Sequence, residues 1–286
     1  MTQTPESLHQ TFQSNDPALD IEAMVRWLER VDAHPLTAQL KRAMLELCPV
    51  GAGDRVLDVG CGVGHEAIRL AQRAGSPGRV VGVDASPPMI AQARQRAREV
   101  PLPAQFDVGD AHHLAFPDGA FDLCRTERVV RYLRRPETAL CEMARVVRPG
   151  GWVLAQDFDS DQTAVDARDH SLTRRVAEAL DAAVPNPWIG RQLYGLFRNV
   201  GLVDVRVVAH AVVLTGANGF ELYRQINHGT IARAVQSGRL GPGEEAAWWA
   251  DLEQAGETET FCAVTLAFIV AGRRPRPHRT EQSCPN

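Results

Sequence analysis

Apolar residues in this chain follow two rhythms that alternate between positions 55 and 158. Short apolar runs such as Val56-Leu57 with Val59 are separated by longer stretches in which apolar residues return every three or four positions. The runs predict strands at 55–59, 79–84, 106–110, 121–124 and 152–158. Between them, Ala67, Ile68, Leu70 and Ala71 mark a helix over about 64–74, and Leu140, Met143, Ala144 and Val147 mark one opened by Pro136. Ser86-Pro-Pro-Met89 reads as a capping serine with prolines in the first turn of another helix, which runs through Arg94, Arg96 and Arg98. Strand-then-helix units with short turns predict an α/β fold, a doubly wound and mostly parallel sheet covered on both faces.

The flanks obey other patterns. Ile21, Met24, Val25, Leu28 and Val31 give an amphipathic helix, and Pro35 opens a second with Leu36, Leu40, Ala43, Met44 and Leu47 on its apolar face. Past the parallel units, helices are expected over 170–183 and 190–200. Val203, Val205 and Val207 then alternate with Asp204 and Arg206 as a strand with one wetter face, and 261–271 is a last apolar strand. Residues 216–258 between those strands read as helical. The expected organisation is an N-terminal helical cover over 1–50 and a main domain over 51–272 containing an insertion at about 216–258. The start of the chain to about residue 17 and a tail over 273–286 are too polar and proline-interrupted to order themselves.

At 286 residues the chain can bury a sizeable core. A formal net charge of -4 argues against a general nucleic-acid surface. No apolar run reaches the roughly 18 residues of a membrane span, and the first residues lack the basic start and apolar stretch of a secretory signal. The six cysteines include no C-x-x-C pair and several sit in apolar runs, as reduced buried cysteines do. A cytoplasmic enzyme for small molecules, monomer or homodimer, is the expectation.

Candidate chemistry concentrates where the first strand ends. Asp58-Val-Gly-Cys-Gly-Val-Gly64 packs three glycines into five residues between a strand and a helix, a turn that brings backbone N–H groups and a helix N-terminus against a polar ligand. A dinucleotide fingerprint would need glycine at 65, where His65 stands, which counts against an NAD-dependent oxidoreductase. The second strand ends in Asp84, an acid placed to suit two ribose hydroxyls. Together with Gly82-Val-Asp84, Gly109-Asp110-Ala111 and Arg148-Pro-Gly-Gly151, this turn resembles the ordered motif series of class I S-adenosylmethionine-dependent methyltransferases, over roughly residues 50–156.

That resemblance implies a Rossmann-like domain with an antiparallel last strand, and S-adenosyl-L-methionine as cofactor. It implies that Gly60, Gly62 and Gly64 let backbone approach the methionine and ribose, that Asp58 bonds the amino-acid end, and that Asp84 takes the ribose hydroxyls. Ala85 and Met89 would pack on adenine, Asp110 and Ala111 would bond its edge, and Arg125 would lie where the methionine end passes. Methyl transfer is an in-line displacement governed by alignment, with a general base only if the acceptor must lose a proton. Candidate catalytic residues are Glu127, Tyr132 and His228, with His112 and His113 also near the pocket; Glu127, Arg128 and Arg131 equally suit a surface ion-pair cluster. Asp157-x-Asp159-x-Asp161 offers oxygen atoms to a cation but reads better as a polar loop, so no metal is predicted. The segments 125–133 and 265–272 are similar to methyltransferases related to the ubiquinone and menaquinone C-methylating enzymes, a group that includes secondary-metabolite enzymes. Here 131–132 is Arg-Tyr rather than His-His. The implied reaction is methylation of a small hydrophobic or aromatic metabolite on carbon, oxygen or nitrogen. Non-methylating use of the cofactor, and a non-catalytic binding protein on the same fold, are the alternatives.

Overall fold

The computed structural model describes residues 21–100 and 104–276. Seven strands form one sheet: β1 (Arg55–Val59), β2 (Arg79–Asp84), β3 (Ala104–Val108), β4 (Phe121–Glu127), β5 (Val147–Val165), β6 (Val203–Thr215) and β7 (Cys262–Arg273). Their order is β3-β2-β1-β4-β5-β7-β6. The first five strands are parallel, while β7 runs antiparallel to both β5 and β6. The winding direction reverses between β1 and β4, which opens a crevice at the carboxyl ends of those two strands. The doubly wound architecture agrees with the sequence pattern, and the antiparallel last strand with what the resemblance implies.

Nine helices lie among the described residues: α1 (Ile21–Ala33), α2 (Pro35–Leu47), α3 (His65–Ala74), α4 (Pro87–Arg98), α5 (Pro136–Val146), α6 (His170–Asp181), α7 (Ile189–Asn199), α8 (Gly216–Gln236) and α9 (Pro242–Glu257). Because side chains alternate across a strand, each central strand feeds two cores. Leu57, Val59, Cys124, Val153 and Ala155 pack with Leu140 and Met143 of α5 and Leu193 and Phe197 of α7. Val56, Leu123 and Leu154 pack with Leu70 of α3, Ile90 of α4 and Met44 of α2. A third cluster joins α6, α8 and α9 through Val176, Tyr223, Trp248 and Phe261.

The last three strands are longer than their apolar letters suggest. β5 continues to Val165 rather than stopping at 158, paired with β7 across an irregularity between Asp159 and Ala164, and β6 continues to Thr215. The acid-rich stretch at 157–161 is therefore strand and not loop. Asp157 and Asp159 are fully buried there because distant elements supply their partners. Asp157 accepts from the Arg131 and Phe158 N–H groups at 3.0 and 2.9 Å. Asp159 accepts two bonds of 2.6 Å from the Arg191 guanidinium. The tail also starts later than expected, since Arg273 closes β7 and Arg274 N–H donates to Gly151 O at 3.0 Å. Residues 1–17 and 277–286, for which disorder is expected from sequence, lie outside the described residues, as do 18–20.

Gly64 shows why glycine stands between β1 and α3. Its φ is +83°, and an added Cβ would lie 2.9 Å from Ala93 Cβ and from the Phe106 ring. Gly64→Ala should lower stability by about 1–3 kcal/mol through overpacking and left-handed strain, read as a lower urea midpoint with unchanged slope. An unchanged midpoint would contradict this packing.

Candidate active site

The turn after β1 is pinned to the end of β2 by backbone and carboxylate together. Gly60 and Cys61 N–H groups both donate to Val83 O, at 2.7 and 3.0 Å. Gly62 N–H donates to Asp84 Oδ2 and Ser86 N–H to Asp84 Oδ1, each at 2.9 Å. A carboxylate oxygen can accept more than one bond, so Asp84 keeps acceptor capacity toward the crevice. Burial pushes its pKa up, and the Ser86 and Gly62 N–H donors oppose that rise. At Gly60 an added Cβ would sit 2.2 Å from Val129 Cγ2, so only glycine admits the segment that follows β4.

Beneath this turn lies a buried charge cluster. Arg125 stands within β4, directly across from Asp58 of β1, and its side chain is only 3% exposed. The sequence expectation placed it beyond the strand; instead it lies under the crevice floor. Its guanidinium meets Glu127 at 2.7 Å, Glu66 at 3.2 Å and Asp58 at 3.7 Å. Lys41 of α2 bridges Glu66 at 3.1 Å and also pairs with Asp32 of α1, which Arg69 of α3 holds as well. This network ties the N-terminal helices to the sheet.

Burial sets the titration of these groups, and neighbouring charges decide its direction. For Glu127 burial alone would raise the pKa, but Arg128, Lys41 and Arg125 outweigh it and hold the group at about 2. For Asp58 burial prevails over Arg125, helped by the nearby Glu66 and Glu127 charges, and pushes it up to about 6. The Arg125 guanidinium, though buried, is raised by its three carboxylates.

The crevice deepens into a cavity of about 760 Å³, within the usual range for ligand sites. At one end it is lined by Asp58, Gly60, Gly62, Asp84, Ala85, Asp110 and Ala111. At the other, the extended ends of β5, β6 and β7 supply Phe158, Val165, Val212, Leu214 and Ala263, with Leu180 of α6 and Tyr223 of α8. Glu127 and Tyr132 stand between the two ends. Five residues singled out from sequence do not reach the lining. Gly64 and Arg125 are placed above; Met89 packs against Met24 and Val63, and His228 lies 6.0 Å from the Trp249 ring in a tilted contact. His113 also stays outside, while His112 lines the cavity and its Nδ1 lies 2.7 Å from Asp110 Oδ1.

Two lining residues, Trp27 and His112, hold buried ring nitrogens without a partner among the described residues, Trp27 Nε1 and His112 Nε2. Such orphaned buried groups leave unmet hydrogen-bonding capacity beside the cavity. Asp58, Glu66 and Glu127 line its floor; Lys41 also answers Glu66 and Arg128 answers Glu127, which leaves Asp58, 3.7 Å from Arg125, as the carboxylate most open to a ligand's positive charge. A ligand with a sulfonium, an ammonium, a diol and an adenine therefore fits the residues present. Glu127 is poorly suited as a general base, because its guanidinium partners stabilise its charged form and weaken it as a proton acceptor. Tyr132 has its phenol pKa raised by burial, with only partial relief from Arg131, and stays neutral. Sequence reasoning missed Trp27, Lys41 and Glu66. Glu66 had a signal, an acid in the first turn of the helix that leaves the glycine turn; Trp27 and Lys41 were hidden within ordinary amphipathic helices.

Removing the shared cation should be costly. Arg125→Met is expected to lose about 3–5 kcal/mol at pH 7 by urea unfolding, because Asp58 is left buried without its cation and Glu66 and Glu127 lose one of theirs. For Glu127, whose folded pKa lies below its ordinary 4.5, the stabilisation is complete above pH 4.5 and is lost as pH falls toward 2. Glu127→Gln should accordingly be less stable than the wild type at pH 7, with the gap closing over that window. A gap independent of pH would contradict the assignment.

A family model of a methyltransferase domain matches residues 57–155, from β1 into β5. An uncharacterised 37.1 kDa protein of transposon TN4556 from Streptomyces fradiae is 34% identical over 252 residues, covering 88% of this chain and 72% of that protein. The demethylmenaquinone methyltransferase of Thermus thermophilus is 40% identical over 119 residues, which cover 41% of this chain and 53% of that enzyme. The match thus spans about half of that relative's length. The structure of the YcgJ protein from Bacillus subtilis shares the fold with a TM-score of 0.57 at 20% identity, covering 82% of this chain and 97% of that one. With the glycine turn, the acid ending β2 and the antiparallel β7 all in place, the chain belongs to the class I S-adenosylmethionine-dependent methyltransferases, enzymes whose methyl donor is S-adenosylmethionine.

Proposed function

We propose that this enzyme methylates a small hydrophobic or aromatic metabolite of secondary metabolism. The observation that carries the reading is the two-ended cavity, polar around the glycine turn and apolar between the extended strands and α8. In this reading Asp84 receives the ribose hydroxyls, Asp110 and Ala111 meet the adenine edge, and Asp58 with Glu66 and Glu127 faces the positive charges. Bound S-adenosylmethionine supplies an electrophilic methyl on a positively charged sulfur.

Everything else falls to the chain's own residues. Charge disperses during transfer, so an apolar compartment that excludes water favours the reaction. Val165, Val212, Leu214 and Tyr223 form that compartment and align the acceptor. Alignment of this kind can supply on the order of 7–11 kcal/mol of the barrier reduction. With Glu127 held as a charge, the reading favours acceptors that are nucleophilic without losing a proton to the protein. The net charge of -4 supports a small molecule over a nucleic acid as acceptor.

The test is transfer of tritiated methyl from S-adenosylmethionine to a panel of aromatic and aliphatic metabolites, followed by solvent extraction. Label should enter extractable products, with no loss of rate in EDTA. Leu214→Arg should reduce transfer by about tenfold or more while leaving cofactor affinity unchanged. Label passing to RNA or protein, with none in the extract, would overturn this reading.

A further inference from the structure

The two edges of the sheet are built very differently. β3 is only five residues long, and its polar positions carry charge and hydrogen bonds, with Gln105 bonded to Asp107 and Arg79, and Arg94 bonded to Asp107. Such a short, charged edge resists pairing with another strand. β6, at the other edge, runs thirteen residues and its one pairing among the described residues is with β7. Its charged residues, Asp204 and Arg206, stand together at its start, where the register with β7 also breaks. From Val207 onward no charged carboxylate, lysine, arginine or proline interrupts it. Val207 and Val213 are 42% and 44% exposed, and Val208 is exposed as well. A long, apolar, unpaired edge is a template for another strand.

The sequence of that edge identifies the strand. Val207-Val-Ala-His-Ala-Val-Val213 reads the same in both directions about His210. Two antiparallel copies related by a two-fold axis at His210 would set Val207 opposite Val213, Val208 opposite Val212 and Ala209 opposite Ala211. Each pair would occur twice, as an isologous contact requires. Directly opposed residues in antiparallel strands project to the same face, so the exposed valines at 207 and 213 would cover one another. Centring the axis on a neighbouring residue sets valine against alanine or histidine and gives up that match.

We infer that β6 is a homodimer interface, in which a second copy of this chain pairs antiparallel about His210 and joins the two seven-stranded sheets into one. The contact covers the unpaired backbone groups of the edge as well as the valines. It also bears on the cavity, because Val212 and Leu214 of the same strand form part of its apolar wall. Pairing on the outer side of β6 holds that wall in place.

Sedimentation velocity of the full chain, with two double variants, tests the contact and its register. The wild type is expected at twice the 31.3 kDa chain mass. V207K/V213K sets like charges across both ends of the pairing and should sediment as a monomer. V207K/V213E sets opposite charges at the same two places and should dimerise again. Neither position lines the cavity, so calorimetric binding of S-adenosylmethionine should be retained in both variants and certifies that they fold. A monomeric wild type overturns the inference, since the edge is then covered by another part of the chain or by a different partner. A dimer indifferent to V207K/V213K overturns it too, placing the interface elsewhere. A monomeric V207K/V213E beside a monomeric V207K/V213K overturns the pairing about His210.

Discussion

Arg125 meets three carboxylates in a place that water hardly enters, and much of the molecule is arranged around that fact. A buried guanidinium is tolerable only with its charge balanced, and here the carboxylates supply that balance although Nε, 3.7 Å from Asp58, makes no hydrogen bond among the described residues. Asp58 comes from the neighbouring strand, Glu127 from two positions along the same strand, and Glu66 from the first turn of α3. The cluster therefore fixes β1, β4 and the helix after the glycine turn relative to one another. Through Lys41 and Asp32 it also reaches α1 and α2, so the cover over the crevice is held by charge as well as by apolar packing. The same arrangement leaves acidic side chains on the crevice floor.

The second constraint is length. Parallel strands β1, β2 and β4 end where the cofactor crevice begins, but β5, β6 and β7 continue past it. Their overhang, with α6 and α8 laid across it, makes an apolar chamber continuous with the polar crevice. Buried Asp157 and Asp159 sit at the start of that overhang, held by backbone N–H groups and by the Arg191 fork. Polar anchors at this depth fix where the strands pass from the core into the chamber. One sheet thus lines both ends of the cavity, and the boundary between them is the carboxyl edge of β4.

Much of this was legible in the residues. Strand and helix alternation over 55–158 gave the sheet, and Gly60, Gly62 and Asp84 located the crevice, because positive φ and an acid at a strand end are local requirements. What was illegible depended on partners far away in sequence. Asp157 and Asp159 look like loop residues until Arg131 and Arg191 are seen beside them. Arg125 looks like a residue just past its strand until Asp58, Glu66 and Glu127 are seen closing on it within β4. Met89 falls at the right position for an adenine contact but turns into a small cluster with Met24 and Val63. His228 lies on a helix whose cavity-lining positions are Leu222, Tyr223, Ile226 and Asn227, and its ring lies against Trp249 instead. Side-chain direction, rather than element placement, is where one-dimensional reasoning stopped.

The central claim is that this crevice binds S-adenosylmethionine through the glycine turn and the acid ending β2. Titration calorimetry with S-adenosylmethionine, S-adenosylhomocysteine and NAD⁺, on the wild type and on Asp84→Ala, addresses it directly. The account predicts that the wild type binds both sulfur ligands and not NAD⁺, and that Asp84→Ala loses them while remaining folded. Binding of NAD⁺ alone, or sulfur-ligand affinity unchanged by Asp84→Ala, would contradict it.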